Sequence, residues 1–356
     1  MRLFEDKLLK NSIKSKWHIV PLTYGSSPNF NWKIAYNSYS QNGFSPYFVA
    51  ADDTYISQSY DLVNWTTPVF LSNFSADAIC GTVDINTSTE TEPRARLQIV
   101  GQRGYSKYLV AQNQEPSNPL ISANWDNIND QDSTIGNYTD VISTAYFTNS
   151  NTLNVIIGLS SNASESYITI ADVPATDWVS TYPVKFANTF VPNGKKIARS
   201  NGNYHIVVGG NGYIGVTSSV FGGIWIIKKI GSKIWYGACH NKSSVYPYWV
   251  VVGQDGYVLK STSQYETFED EPYQITNNSL FAVEYIKGKQ ISTGLDDGRY
   301  IAVGANGVVA MSKNNNPTSA NDWVVENVGD TNWQNITIAN GYCVLGGNNH
   351  IAWKRI

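Results

Sequence analysis

YHIVVGGNGYIGVTSSVFGGIW, residues 204–225, decides the reading, because the chain repeats it. Residues 248–268 read YWVVVGQDGYVLKSTSQYETF, and residues 300–323 read YIAVGANGVVAMSKNNNPTSANDW. Each phrase holds an apolar run, a glycine, an Asn-Gly or Asp-Gly pair, a second apolar run and a closing aromatic. Weaker copies are YFVAADDTYISQSYDLVNW (47–65), LQIVGQRGYSKYLVAQ (97–112, running on to Trp125) and LNVIIGLSSNASESYITIADVPATDW (153–178). A truncated copy, YCVLGGNNHIAW (342–353), comes last.

The residue after the first apolar run serves as a ruler. It is Ala50, Gly101, Gly158, Gly209, Gly253, Gly304 and Gly346. The intervals average about 49 residues, the length of one four-stranded unit of a radial array. Apolar runs of 4–7 residues beside turn dipeptides read as strands. Each unit therefore parses into four: an apolar first strand such as Ile234 to Cys239, the Val-Val-Gly run, a third strand such as Tyr257 to Lys260, and a fourth near the Trp. Asn211-Gly212, Asp255-Gly256 and Asn306-Gly307 tolerate positive φ and predict two-residue hairpins between the second and third strands. The expectation is an all-β, seven-bladed β-propeller over residues 17–356, preceded by an arm, residues 1–16. The last copy lacks a fourth strand. Trp17-His18-Ile19-Val20-Pro21 has the right form, so residues 17–22 are expected to complete the blade of residues 336–356 and leave no open edge. The repeated Trp is expected to wedge between neighbouring blades.

Composition narrows the function. The 356 residues carry 25 Lys+Arg against 28 Asp+Glu, a net charge of −3. That balance, with no basic run, does not suit a nucleic-acid binder. No apolar stretch reaches membrane-spanning length, so no membrane insertion is expected. The opening MRLFEDKLLKNSIKSKW lacks the apolar core of a secretory signal. Cys80, Cys239 and Cys343 sit in strand-like text and are expected to be buried free thiols. No metal or cofactor is expected. His18, His205, His240 and His350 have no ligand spacing, and Asp52-Asp53 and Asp296-Asp297 fit turns better than a calcium loop. Gly209-Gly210-Asn211-Gly212 leads into a strand, not the helix a phosphate loop needs.

The phrase Val-Gly-x-x-Gly-x-Φ-x-x-Ser followed by Trp resembles the repeats of sialidase-type "Asp-box" (BNR-like) propellers and of photosystem II assembly-factor propellers. The box wants Ser-x-Asp-x-Gly-x-x-Trp. Ser59-Tyr60-Asp61-Leu62-Val63-Asn64-Trp65 comes near it, residues 218–225 lack the Asp, and Ser263 to Phe268 replace the Trp. The resemblance covers nearly all of the chain after the arm and implies the fold. The charge-poor, Asn/Ser/Thr/Tyr-rich text with a short arm also resembles bacteriophage virion proteins of the tail or receptor-binding kind.

The function expected is non-catalytic: a virion structural or adhesion protein, located in the virion, with other virion proteins as partners and a host surface glycan or receptor as a further one. Sialidase-like glycoside hydrolysis is the alternative. It needs three arginines converging on a carboxylate, and none of Arg2, Arg94, Arg96, Arg103, Arg199, Arg299 and Arg355 form such a set of equivalent first-strand positions. A scaffold for assembling a membrane-protein complex is the further alternative and predicts a basic patch. Candidate ligand contacts are Trp235, Tyr236, His240, Tyr246 and Tyr248, since Tyr and Trp stack on sugars and anchor interfaces. Leu3, Phe4, Leu8 and Leu9 of the arm are candidate docking residues. The polar segments Gln112 to Asp140 and Asn86 to Arg96 are decorations where function can reside.

Overall fold

The repeated phrase folds as a four-stranded antiparallel sheet, and among the described residues seven such sheets follow one another. The computed structural model describes residues 16–24, 30–38, 45–71, 76–84, 94–100, 107–109, 111–112, 115–116, 118–121, 124–127, 137–147, 152–172, 180–186, 188–200, 204–220, 224–241, 247–261, 268, 271–292 and 295–356. Blade 1 runs through Lys33–Asn37, Tyr47–Asp52, Tyr55–Ser59 and Val69–Phe70. Blade 2 has Ala78–Asp84, Arg94–Val100, Lys107–Leu109 and Trp125–Asn127. Blade 3 has Tyr138–Phe147, Thr152–Ser161, Ser166–Asp172 and Ser180–Pro183. Blade 4 has Lys196–Arg199, His205–Val208, Tyr213–Thr217 and Ile226–Lys229. Blade 5 has Trp235–His240, Trp249–Gly253, Tyr257–Lys260 and Tyr273–Gln274. Blade 6 has Leu280–Ile286, Arg299–Gly304, Val308–Ser312 and Trp323–Asn327. Blade 7 has Trp333–Ala339, Tyr342–Gly347 and His350–Arg355, with His18–Pro21 as its outer strand.

The pairing of that outer strand is antiparallel, with His18 opposite Trp353 and Val20 opposite Ile351. Each first strand packs against the first strands of the blades before and after it, and that of blade 7 against that of blade 1. The architecture is that of a β-propeller. Side chains tie blade 7 to blade 1: Asn335 Oδ1 accepts the Ile34 N–H at 2.9 Å, and Thr337 Oγ1 donates to the Ile34 carbonyl at 2.7 Å.

Because each sheet is sandwiched between two others, both faces of its middle strands must be apolar. His205–Val208 and Trp249–Gly253 are buried at every position. This is why the phrase shows an unbroken Val-Val run and not alternation. The closing aromatics fill the seams. Trp225 is 1% exposed and joins Ile157, Leu159 and Ile168 of blade 3 to Ile197 and Val207 of blade 4. Trp323 lies between Val250 and Val258 of blade 5 and Tyr300 and Ala302 of blade 6. Trp125 and Phe268 fill the seams between blades 1 and 2 and blades 4 and 5.

Two details differ from expectation. The turn between second and third strands has three residues in blades 5 and 6, Gln254–Gly256 and Ala305–Gly307. The Asp-Gly pair of blade 5 does take positive φ, +56° and +71°. Gly256 is required there: a Cβ would lie 2.0 Å from the Thr276 carbonyl oxygen. Its own carbonyl accepts the Ile275 N–H at 3.0 Å, so the turn clamps the crossover to the next blade. The first strands of blades 3, 5, 6 and 7 also begin with a bulge, as between Trp235 and Gly237, not at the regular strand starts the text implies. Opposite Trp235 stands Gly253, where a Cβ would meet the Ile234 carbonyl oxygen at 2.3 Å and the Trp235 ring at 2.8 Å. The ruler glycine of blade 5 is thus the imprint of the bulge across from it.

The Asp-box-like turn is built from hydrogen bonds. Asp61 Oδ1 accepts the N–H groups of Val63 (2.9 Å) and Asn64 (2.7 Å), and Ser59 Oγ accepts that of Leu62 (2.9 Å). Leu62 takes φ +66° with its side chain buried, and Trp65 Nε1 donates to the Leu62 carbonyl at 3.1 Å. All three cysteines are free thiols; Cys239 and Cys343 are buried and Cys80 is half-buried. Among the described residues no helix is long and apolar enough to cross a membrane.

Candidate functional site

The seven first strands line a central channel, and their starts surround its wider mouth. The mouth encloses about 520 Å³ and takes side chains from every blade. Lys33 comes from blade 1, Asp77 precedes blade 2, Asp140 comes from blade 3 and Lys195 and Lys196 from the entry to blade 4. Tyr236 comes from blade 5, Phe281 and Glu284 from blade 6, Gln334 and Asn335 from blade 7. A second space of about 360 Å³ lies further along the channel. Lys196, Glu284 and Asn335 line both and mark the waist between them.

Two of the lysines at the mouth are held in ion pairs. Lys33 Nζ lies 2.8 Å from Asp52, whose other oxygen accepts the Asn31 N–H at 2.8 Å. Lys196 Nζ lies 3.1 Å from Asp140, which also accepts the Ile197 N–H at 2.9 Å. Burial pulls the Lys196 ammonium down, but Asp140 and Glu284 more than offset it and leave its pKa raised. Burial pushes the Asp140 carboxyl up, against the pull of Lys196 and the Ile197 N–H. The cation held beside it favours the charged carboxylate and so opposes that rise. Asp77 is raised by burial and by Asp52 and Asp53, with Lys33 opposing. Burial lowers Lys195.

Between these pairs lies a wall rich in amides and aromatic rings, with Lys195 and Glu284 among them. Tyr236 meets Phe281 edge-on, ring centroids 5.4 Å apart, beside Asn137, Gln334 and Asn335. Asn31 adds a buried side-chain oxygen with no hydrogen-bond partner among the described residues. An acceptor of that kind calls for an occupant. Aromatic faces among amides suit a hydroxyl-rich ligand. No arginine lines the channel among the described residues, and no group of His, Cys, Asp or Glu among them could hold a metal ion.

Of the candidate ligand residues, only Tyr236 reaches the mouth. Trp235 is fully buried with its ring in the core between blades 4 and 5, because the bulge turns it into the seam and sends Tyr236 to the channel. His240 is 1% exposed and lies edge-on to Trp249 at 4.8 Å, so it presents no surface to a ligand. Tyr248 is half-buried under Lys260, whose Nζ lies 4.3 Å from the ring centroid. Tyr246, Leu3, Phe4, Leu8 and Leu9 lie outside the described residues. Asn31, Asp77, Phe281 and Asn335 are the residues that sequence reasoning missed. Their signal was positional: they stand at or just before the starts of first strands.

No family model matches the chain, and no curated protein matches it. Solved structures do. BBS1N, in complex with ARL6DN, is 12% identical with a TM-score of 0.64 over 95% of both chains. YCF48 bound to D1 peptide is 10% identical with a TM-score of 0.58, covering 96% of this chain and 95% of that one. The Pan2 WD40 domain of Neurospora crassa is 11% identical with a TM-score of 0.59 over 95% of both. At such identities the likeness shows the fold, a β-propeller, and nothing finer.

Proposed function

We propose that this chain is a non-catalytic scaffold of a bacteriophage particle, part of the tail or of its host-attachment device, working as one seven-bladed ring closed by its first strand. A β-propeller of this form is a scaffold suited to protein–protein interaction. Two structural neighbours are recorded with protein partners, ARL6DN and D1 peptide. The observation that carries the reading is the channel mouth. Lys33 and Lys196 are spent on Asp52 and Asp140, and beside Asp77, Lys195 and Glu284 the mouth presents Tyr236 and Phe281 among side-chain amides. That wall favours holding a neutral glycan over attacking one. The arm, with Leu3, Phe4, Leu8 and Leu9, is the docking element for neighbouring virion subunits.

Protein content of purified particles tests the role directly. The chain is expected in particles at a fixed ratio to tail proteins, and its absence from particles while abundant in the lysate would end the reading. Deleting residues 2–11 is expected to leave a folded protein that is not incorporated. On a glycan array, Tyr236→Ala is expected to lose whatever signal the parent protein shows. Turnover of a fluorogenic sialoside would instead establish the hydrolase alternative. One observation favours the assembly-scaffold alternative, a cationic groove on blades 6 and 7.

A further inference from the structure

That groove carries an inference of its own. It lies at the opposite end of blade 6 from the starts of the first strands, where Ile286 to Lys289 and Asp297 to Arg299 lie beside the third strands of blades 6 and 7. It encloses about 330 Å³, the lower end of the ~300–1,000 Å³ range of small-ligand clefts. Its floor is Ile286, Met311 and Ile356. A smaller space of about 90 Å³ shares Arg299, Met311 and Lys354 with it and extends the trough outward to Val324, which is 56% exposed.

The rim is cationic: Lys287, Lys289, Arg299 and Lys354, with Lys313 at the outer end. Only Asp297 and Glu326 oppose them along the trough. Glu326 is held by Trp17 Nε1 at 2.8 Å, and Lys354 sits over the Trp17 ring at 5.7 Å. No ion pair involves Lys287 or Arg299 among the described residues. The trough is preformed. Asp296 accepts the Tyr285 hydroxyl and the Gly298 N–H, the latter at 2.7 Å, and the Asp297 N–H reaches the Lys289 carbonyl at 3.0 Å. These bonds pin Lys289 and Asp296 to Gly298 beside the groove, so little ordering of them remains when a ligand enters.

We propose that this groove binds an extended peptide segment of a protein partner in which acidic side chains alternate with apolar ones. The apolar side chains would lie on Ile286, Met311 and Val324. The carboxylates would meet Arg299, whose planar fork suits bidentate pairing, and Lys287. The charge on the rim selects acid over base, and the floor selects apolar over polar. The inference rests on the scaffold reading, since it names the chemistry of one partner.

The test is fluorescence polarisation with three labelled peptides at about 0.15 M salt. One alternates Leu with Glu, one Leu with Lys, and one Ser with Glu. The Leu/Glu peptide is expected to bind at least about tenfold more tightly than either of the others, a difference of ~1.4 kcal/mol. Arg299→Glu with Lys287→Glu is expected to weaken it by at least about tenfold and to raise affinity for the Leu/Lys peptide. Both positions are on the surface of the groove, and Met311→Gln, which keeps the charge, provides a second variant with a smaller loss. Equal binding of the three peptides, or an affinity unmoved by the double charge reversal, overturns the groove. So does attachment to phosphatidylserine vesicles without peptide binding. Groove failure with the protein still present in particles leaves the scaffold reading intact. Peptide selectivity in a protein absent from particles does the reverse.

Discussion

Trp225→Ala puts the inter-blade seams to a quantitative test. The indole is 1% exposed, wedged between blades 3 and 4, and rests on Gly215, where a Cβ would sit 3.2 Å from its ring. A buried Trp removes ~150–250 Å² from water. At ~25 cal/mol per Å², less the part an Ala retains, the loss is about 4 kcal/mol, within the ~3–5 kcal/mol range for Trp truncation. With an unfolding entropy of ~2.1 cal/mol/K per residue over the 356 residues, that corresponds to a drop of about 5 °C in Tm. Guanidinium unfolding followed by far-UV circular dichroism reads it without relying on the fluorescence of the removed ring. Ile224→Ser is the control: that side chain is 72% exposed, and its change should stay within about 0.5 kcal/mol. A Trp225→Ala loss below ~1 kcal/mol, at unchanged denaturant dependence, would refute the wedge.

Gly256→Ala should cost at least ~2 kcal/mol in the same assay, because φ of +71° and the Thr276 carbonyl both exclude a Cβ; a neutral result would mean the turn is not the clamp described. Asp61 is held below the usual carboxylate range by its hydrogen bonds from Asn64, then Val63 and Ser59. A lowered folded pKa stabilises above the unfolded pKa and is lost as pH falls through the folded one. Asp61→Ala should therefore cost about 1 kcal/mol near neutrality, the low end for charge-assisted bonds at an exposed group, and the cost should vanish in acid. A pH-independent difference would contradict that. Burial, then Asp140, pushes the Cys80 thiol up to about 12, and burial raises Cys343 as well. Cys343, which is buried, should react with a disulfide reagent at pH ~8 only on unfolding, and the half-buried Cys80 only slowly in the native protein; fast labelling of native protein at both would contradict this.

The strands were legible because a sheet covered on both sides leaves continuous apolar runs, as in Trp249–Gly253. The Asn-Gly and Asp-Gly turns were legible because few residues accept positive φ. The bulges were not. A bulge inserts one residue without a composition of its own, so Trp235 and Tyr236 looked alike in the text and point to opposite places. The channel mouth was hidden for a related reason. Asn31, Asp77 and Asn335 lie at strand starts outside the repeated phrase, and their convergence depends on bending the whole chain around. Glu326 and Trp17 are 309 residues apart and meet only through the pairing of blade 7.

The partnership of His18–Pro21 with His350–Arg355 sets a timetable for synthesis. At ~5–20 residues per second, a ribosome needs roughly 17–70 s to travel from one partner to the other. During that interval the newly made amino-terminal strand has nothing to pair with. The nascent chain must shelter it, leave it solvated or lend it to a chaperone. Its sparse apolar content, with two of four positions taken by His and Pro, keeps that wait from becoming an invitation to aggregate.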